Sequence, residues 1–282
     1  MVSKVSLLLC VWLCGGKLAE LPVRIFHGYG DSCGNLGLRD PHPCVETGAG
    51  EASKSQSVIA QANRGCRLLS RELPALAKGF YVVAYSQGGL IARHILLNCV
   101  PVRGLIKRMV FAGTPHLGYD IDGKFFRKFD GLGAKRALEA WQDYATSRGA
   151  RPKFLEDLES PKADALYKGL DLFLTVVNAP EATVKPAWST SLGADLIGPN
   201  RLEKLDSVPR FRERKTFLEM YKSGKLVSCL SLARHNRFTD DEREALFSII
   251  LKEHPTAGSY QESAKLQLAA FLKVYPRFCD FV

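Results

Sequence analysis

The stretch "VVAYSQGGLIARH", Val82 to His94, joins a strand pattern to a helix pattern without a connecting loop. An apolar run typical of a buried strand leads to a tight turn around a serine, and apolar residues at helical spacing follow at once. A nucleophilic serine needs such a sharp turn, with small residues on either side so that the backbone can pass. Gly88 supplies one small residue, and Ala84 stands where the pattern G-x-S-x-G has its first glycine. The stretch therefore predicts a nucleophile elbow at Ser86.

The rest of the chain predicts the sheet that such an elbow requires. Of the 282 residues, 46% are hydrophobic, which is enough for one full core. Short apolar runs rich in β-forming residues occur at 21–26, 79–85, 108–111 and 225–232. The first three are separated by stretches with helical periodicity, and such alternation is typical of a parallel sheet covered by helices on both faces. The fold class is therefore predicted to be α/β, with residues 20–282 as one domain.

A different pattern occupies the region between Asp120 and Gly224. Charged segments with apolar residues at helical spacing dominate it, and "LFLTVV" is the one convincing strand. Helices inserted between two strands of an α/β sheet often cover its carboxyl edge, where ligands bind. We interpret residues from about 120 to about 224 as a helical lid.

The amino terminus has the pattern of a secretory signal peptide, predicted over residues 1–19. Lys4 precedes an apolar stretch from Val5 to Cys14, and two glycines follow. An ordinary buried strand or helix is the alternative. Six cysteines remain after the signal, and none of them forms a close C-x-x-C pair, so we expect disulfides rather than a metal site. No cofactor is predicted.

The formal net charge of +10 raises the question of an anionic partner. The basic residues are spread along the chain, with mild clusters only at 124–128 and 210–215, and blocks of like charge long enough for a binding tail are absent. We therefore expect a monomer that binds no nucleic acid and makes at most peripheral contact with a membrane surface.

Two further segments follow predicted strands next to the elbow, where other parts of an active site are expected. "HGYGD" follows the first strand directly, and a glycine-rich turn there can offer a backbone N–H to an oxyanion. Tyr29 is the predicted donor in that turn, and Gln87, just after the serine, is the second. "FAGTPHLG" ends the third strand and contains His116, to which we assign a structural role because the base of such enzymes comes late in the chain.

Together, "HGYGDSC", "CVETG" and "YSQGGLIAR" resemble the palmitoyl-protein thioesterases. That resemblance implies an α/β-hydrolase of the lysosome or the secretory pathway that removes fatty acyl groups from protein cysteines. It also implies Ser86 as the nucleophile, with Tyr29 and Gln87 as oxyanion donors. Cys66 and Cys99 match two cysteines that the family joins in a disulfide.

The acid and the base depart from the family pattern. The family's acid follows a late strand in a segment N-D-x-x-V. We match that strand and turn to "CLSLARHNRFTDDE", where His235 occupies the acid position and Asp240 becomes the candidate acid. The family's histidine follows a last strand in a G-D-H or G-G-H turn, which this chain lacks. His254 is then the candidate base, and the alternative is that the acid, the base or both are missing.

A second departure lies between Asn35 and Val45. The family has a helix and a strand there, whereas "NLGLRDPHPCV" contains two prolines, which argue against both.

Three functions stay open at this stage. The first is a thioesterase acting on S-acylated proteins or fatty acyl thioesters. The second is a general lipase or carboxylesterase, which "GTPHLG" also fits. The third is a pseudo-hydrolase that binds acyl chains or acylated proteins without turnover, because triad members can be lost while binding persists.

Overall fold

A computed structural model describes residues 21–37, 42–116, 118–120, 142–146, 152–178, 216, 219–220, 223 and 225–231. The predicted signal peptide lies outside these residues and stays a prediction. Across the described part of the chain, no helix combines the length and the hydropathy that crossing a bilayer requires.

A parallel sheet of five strands forms the centre of the described part. Its strands are β1 (Val23–Phe26), β2 (Phe80–Tyr85), β3 (Ile106–Ala112), β6 (Leu172–Asn178) and β7 (Leu226–Ser231), in the order β1-β2-β3-β6-β7. A separate pair joins β4 (Tyr119–Asp120) to β5 (Ala145–Thr146). Every residue of β1 and β2 is buried, as expected when helices cover both faces of a parallel sheet. The α/β prediction is confirmed.

Helices follow the strands in the manner of a doubly covered sheet. They are α1 (Cys33–Gly37), α2 (Glu51–Ser55), α3 (Val58–Arg71), α4 (Leu73–Leu76), α5 (Gln87–Asn98), α6 (Val100–Arg103), α7 (Lys153–Asp157) and α8 (Pro161–Lys168). The Ser57 side chain caps α3 by accepting a hydrogen bond from the Ala60 N–H. The helix that follows Ser86, α5, is buried along most of its length, because α3 and the sheet both pack against it.

The structure places a sheet strand inside the region that we interpreted as a lid. β6, which contains "LFLTVV", lies between β3 and β7, with Val110 opposite Leu174 and Leu174 opposite Val227. Apolar and β-branched residues make this segment a strand despite its charged neighbourhood. The interval from 120 to 224 is therefore not one continuous helical insertion, and a lid stays a prediction.

The segment from Asn35 to Val45 also differs from the expectation. Its start belongs to α1, and Cys44 forms a parallel bridge with Ile25 of β1. The Ile25 N–H donates to the Pro43 carbonyl at 3.0 Å, and the Val45 N–H donates to the Ile25 carbonyl at 2.8 Å. Proline has no backbone N–H to donate. It is tolerated at position 43 because the contact with Ile25 uses the Pro43 carbonyl oxygen as an acceptor. The described residues of this segment therefore contain the end of a short helix and a single bridge to β1.

Two disulfides connect the described residues. Cys66 in α3 is joined to Cys99 at the end of α5, the pairing that the family resemblance implied. Cys33 is joined to Cys44, a pair that the sequence did not identify. Disulfides are typical of proteins that fold in the secretory pathway.

Candidate active site

Ser86 stands on a strained turn between β2 and α5. Its backbone adopts φ 50° and ψ −125°, which makes it the one non-glycine residue with positive φ in the described part of the chain. Such a conformation costs about 1–3 kcal/mol and persists only where the surroundings impose it. Here the Ser86 N–H donates to the Ala112 carbonyl at 2.8 Å, and the Ser86 carbonyl accepts from the Gly89 N–H at 3.0 Å. These features are those of a nucleophile elbow.

The two glycines after Ser86 permit close packing at the elbow. A methyl group on Gly88 would lie 2.5 Å from the His27 carbonyl oxygen, and one on Gly89 would lie 2.0 Å from Thr114 Oγ1. Real Cβ atoms essentially never lie so close to other atoms, so a side chain at either position would force its neighbours to move. Ala84, by contrast, has its methyl group fully buried in the core. The substitution of alanine for the first glycine of G-x-S-x-G is therefore accommodated.

The turn after β1 lies directly against Ser86. A methyl group on Gly28 would lie 3.0 Å from Ser86 Cβ and 3.6 Å from Ser86 Oγ, so Gly28 lies next to the Ser86 side chain. Tyr29 follows Gly28 in this turn, and Gln87 is the first residue of α5. The structure thus brings the segments of both predicted oxyanion donors to Ser86.

Other amides of the same turn already have acceptors. Gly30 N–H donates to Ser53 Oγ at 2.7 Å, and Cys33 N–H donates to Glu46 Oε2 at 2.9 Å. Asp31 N–H donates to the Gly28 carbonyl at 3.3 Å. These three amides are therefore engaged within the protein and are not the donors for an oxyanion.

The side chains of His27 and Glu46 are within hydrogen-bond distance of each other behind the turn. His27 Nε2 lies 2.9 Å from Glu46 Oε1, and His27 Nδ1 lies 3.1 Å from the Gly28 carbonyl oxygen. Partial burial on its own would raise the pKa of the Glu46 carboxyl. Hydrogen bonds from the N–H groups of Cys33 and Gly48, together with His27, outweigh this effect of burial. They hold the pKa of the Glu46 carboxyl below its usual value.

The same region contains three side chains with the composition of a metal site. Ligand atoms of His27, Cys33 and Glu46 all lie within 4.8 Å of one another. Cys33 is bound to Cys44, however, and a metal requires the free thiolate. Both Glu46 oxygens also accept hydrogen bonds. In this oxidised state the residues do not fit a metal.

A second buried polar cluster surrounds Arg93 on α5. Its guanidinium group donates to Tyr167 Oη at 2.9 Å, to the Leu158 carbonyl at 3.0 Å and to His116 Nδ1 at 3.1 Å. Because arginine only donates, Nδ1 of His116 must be the acceptor. Burial first, and the Arg93 charge second, hold the pKa of His116 well below its ordinary value. These contacts fit the structural role assigned to His116.

The predicted acid and base, Asp240 and His254, lie outside the described residues. The structure does place the carboxyl end of β7, at Ser231, on the same sheet edge as Ser86, because all five strands are parallel. Ligands of open parallel sheets bind at this edge.

The parallel sheet and its strained serine define the α/β-hydrolase class. The family model for palmitoyl protein thioesterase matches residues 22–194, more than half of the chain. The chain therefore belongs to the palmitoyl protein thioesterase family, and its fold is of the α/β-hydrolase type.

Several solved structures are similar in fold at low identity. An esterase of Pyrococcus furiosus is 14% identical, with 92% of this chain and 83% of that chain covered and a TM-score of 0.42. A monoacylglycerol lipase of Paleococcus ferrophilus is 13% identical, covering 82% and 94%, with a TM-score of 0.40. Lipase B of Aspergillus fumigatus is 16% identical over 58% of this chain, with a TM-score of 0.40, and this chain spans 38% of its length.

Proposed function

We propose that this protein is a serine thioesterase that cleaves long-chain fatty acyl thioesters from protein cysteines in the secretory pathway, in the lysosome or outside the cell. The strained backbone of Ser86 carries the proposal, because it presents a serine at the carboxyl edge of a parallel sheet at a cost in stability. Family membership favours the thioester over other acyl substrates.

The reaction proceeds in two acyl transfers. Ser86 Oγ attacks the thioester carbonyl while a base takes its proton, and the N–H groups of Tyr29 and Gln87 stabilise the oxyanion. The C–S bond then breaks, and the proton passes to the departing cysteine thiolate. Water attacks the acyl-serine in the same way, releasing the fatty acid and restoring Ser86.

Strand order suggests a different base and acid from those taken from the sequence alone. The family's acid follows a late strand and its histidine follows the last one. Among the described strands, β6 lies between β3 and β7, so we match β6 to the former and β7 to the latter. Glu181 comes three residues after Asn178, the end of β6, and His235 comes four residues after Ser231, the end of β7. We therefore propose His235 as the base and Glu181 as the acid, with His254 and Asp240 as the alternatives.

The spacing between strands is compatible with this assignment. β7 lies three strand positions from β2, which is about 14 Å at the usual spacing of neighbouring strands. Four residues of extended chain span up to about 14 Å. A histidine four residues beyond β7 is therefore within reach of the nucleophile.

The thioesterase proposal is tested by hydrolysis of a palmitoyl thioester and of its oxygen-ester counterpart. We expect faster turnover of the thioester and a loss of at least about a thousandfold in Ser86→Ala. Ser70→Ala, which removes a hydroxyl from α3, is the matched control and is expected to keep full activity. Preference for the oxygen ester would favour a general lipase or carboxylesterase, and binding without turnover would favour a pseudo-hydrolase.

The base is identified by comparing His235→Ala with His254→Ala in the same assay. We expect His235→Ala to lose at least about a hundredfold in kcat and His254→Ala to stay near wild type. Glu181→Gln and Asp240→Asn provide the same comparison for the acid. If the His254 and Asp240 variants lose activity and the other two do not, His254 is the base and Asp240 is the acid.

A further inference from the structure

We propose that Glu46 is a positioning residue that holds the oxyanion turn, residues 27–33, against Ser86. This inference deepens the proposed function and rests on it for its kinetic consequences. "CVETG", which contains Glu46, carries no role in the reaction as described so far. Glu46 itself is not a catalytic residue, because it acts through the backbone of the turn.

The sheet brings Glu46 beside the turn. Cys44 bridges Ile25 in parallel, so the chain after Cys44 and the chain after β1 leave the sheet at the same edge. The disulfide from Cys33 to Cys44 fixes the far end of the turn to the same segment. Glu46 follows two residues after Cys44, and its carboxylate contacts the turn.

The carboxylate then connects both ends of the turn. Oε1 lies 2.9 Å from His27 Nε2 at the start of the turn, and Oε2 accepts the N–H of Cys33 at 2.9 Å at its end. Oε1 also accepts the N–H of Gly48 at 3.0 Å, which fixes the carboxylate itself. Charge-assisted hydrogen bonds of this kind are about twice as strong as neutral ones. Within the described residues, Glu46 is the side chain that contacts both ends of the turn.

The connection to the nucleophile runs through His27 and Gly28. The His27 carbonyl lies against Gly88 of the elbow, and Gly28 lies against Ser86 Cβ. A shift of His27 therefore moves the backbone that carries Tyr29 relative to Ser86 Oγ. Misplacement of reacting groups by about 1 Å can cost about a hundredfold in rate.

The turn has further connections that keep it folded when Glu46 is changed. The Gly50 N–H donates to the Asp31 carbonyl at 2.9 Å, and the Gly30 N–H donates to Ser53 Oγ at 2.7 Å. Replacement of Glu46 is therefore expected to loosen the turn without unfolding the protein.

The test compares Glu46→Gln with Glu72→Gln. Glu72 is a matched control, because its carboxylate is 2.6 Å from Arg24 and its side chain is 40% exposed, against 39% for Glu46. We expect Glu46→Gln to lose about ten- to a hundredfold in kcat with KM within twofold. Glu72→Gln is expected to change neither. If kcat of Glu46→Gln stays within twofold of wild type, Glu46 does not position the turn.

Amide hydrogen exchange provides a readout that does not depend on hydrolysis. Peptides covering residues 27–33 should exchange faster in Glu46→Gln than in wild type or Glu72→Gln, while peptides of α3 stay unchanged. If wild type hydrolyses no thioester but this difference appears, the proposed function fails and the positioning role stands. Equal exchange in all three proteins contradicts the positioning role. If Glu46→Gln does not fold, Glu46→Asp provides the same comparison, with its charge kept and its reach shortened.

Discussion

At the scale of single residues, Gly88 shows how closely the elbow is packed. A methyl group there would lie 2.5 and 2.6 Å from two carbonyl oxygens at the end of β1. We expect Gly88→Ala to lower the free energy of unfolding by about 1–3 kcal/mol or more, because backbone atoms must move. Chemical denaturation measures this change.

Gly104→Ala is the matched control for Gly88→Ala. No atom lies within 4 Å of the added methyl group, and Gly104 has φ −75° and ψ −10°, which any residue adopts. This variant is expected to be neutral or up to about 1 kcal/mol more stable. A Gly88→Ala protein as stable as Gly104→Ala would contradict the described packing of the elbow.

His116 is expected to make stability depend on pH. Its pKa in the folded protein is held well below 6.5 by burial and then by Arg93, whereas the unfolded chain takes up a proton near pH 6.5. The unfolded state therefore binds more protons in acid, and the free energy of unfolding falls as pH drops below about 6.5, by at most about 1.4 kcal/mol per pH unit.

Substitution of His116 by asparagine isolates this effect. His116→Asn keeps an acceptor for Arg93 but cannot take up a proton, so denaturation between pH 7.5 and pH 5 should show a shallower loss of stability than wild type. His94 has a pKa lowered chiefly by burial and adds a slope of the same sign, so some dependence should persist. Equal slopes in both proteins would contradict the role given to His116.

At the scale of elements, the two disulfides are expected to contribute unequally. Cys66–Cys99 spans 33 residues and joins α3 to the end of α5, whereas Cys33–Cys44 spans 11. The loop-entropy relation gives about 4 and about 3 kcal/mol respectively. Denaturation of the two double cysteine-to-alanine variants tests this order. A larger loss on removing Cys33–Cys44 would contradict it.

The elements also show which parts of the structure could be predicted. Strands β1, β2, β3 and β7 could be predicted from short runs rich in apolar residues, and the elbow from the segment Ser-Gln-Gly-Gly between a strand and a helix pattern. The contact between the side chains of His27 and Glu46 joins residues 19 apart in the sequence, which a single bridge at Cys44 brings together, so no local pattern predicts it. Six cysteines allow fifteen pairings, which left Cys33–Cys44 open.

At the scale of the whole molecule, strand order decides what the sequence left ambiguous. The segment "LFLTVV" has the pattern of a strand, but it lies among charged stretches, and its sequence alone does not give its place in the strand order. Its position between β3 and β7 makes β7 the last strand of the described sheet. That position moves the proposed base from His254 to His235.

The central claim is that Ser86 is an activated nucleophile, and covalent labelling by a fluorophosphonate tests it most directly. We expect one adduct per chain, located by peptide mass spectrometry on Ser86, and none in Ser86→Ala. Labelling should be unchanged in Ser70→Ala. An intact protein that is not labelled, or one in which Ser86→Ala is labelled as fast as wild type, would contradict the claim.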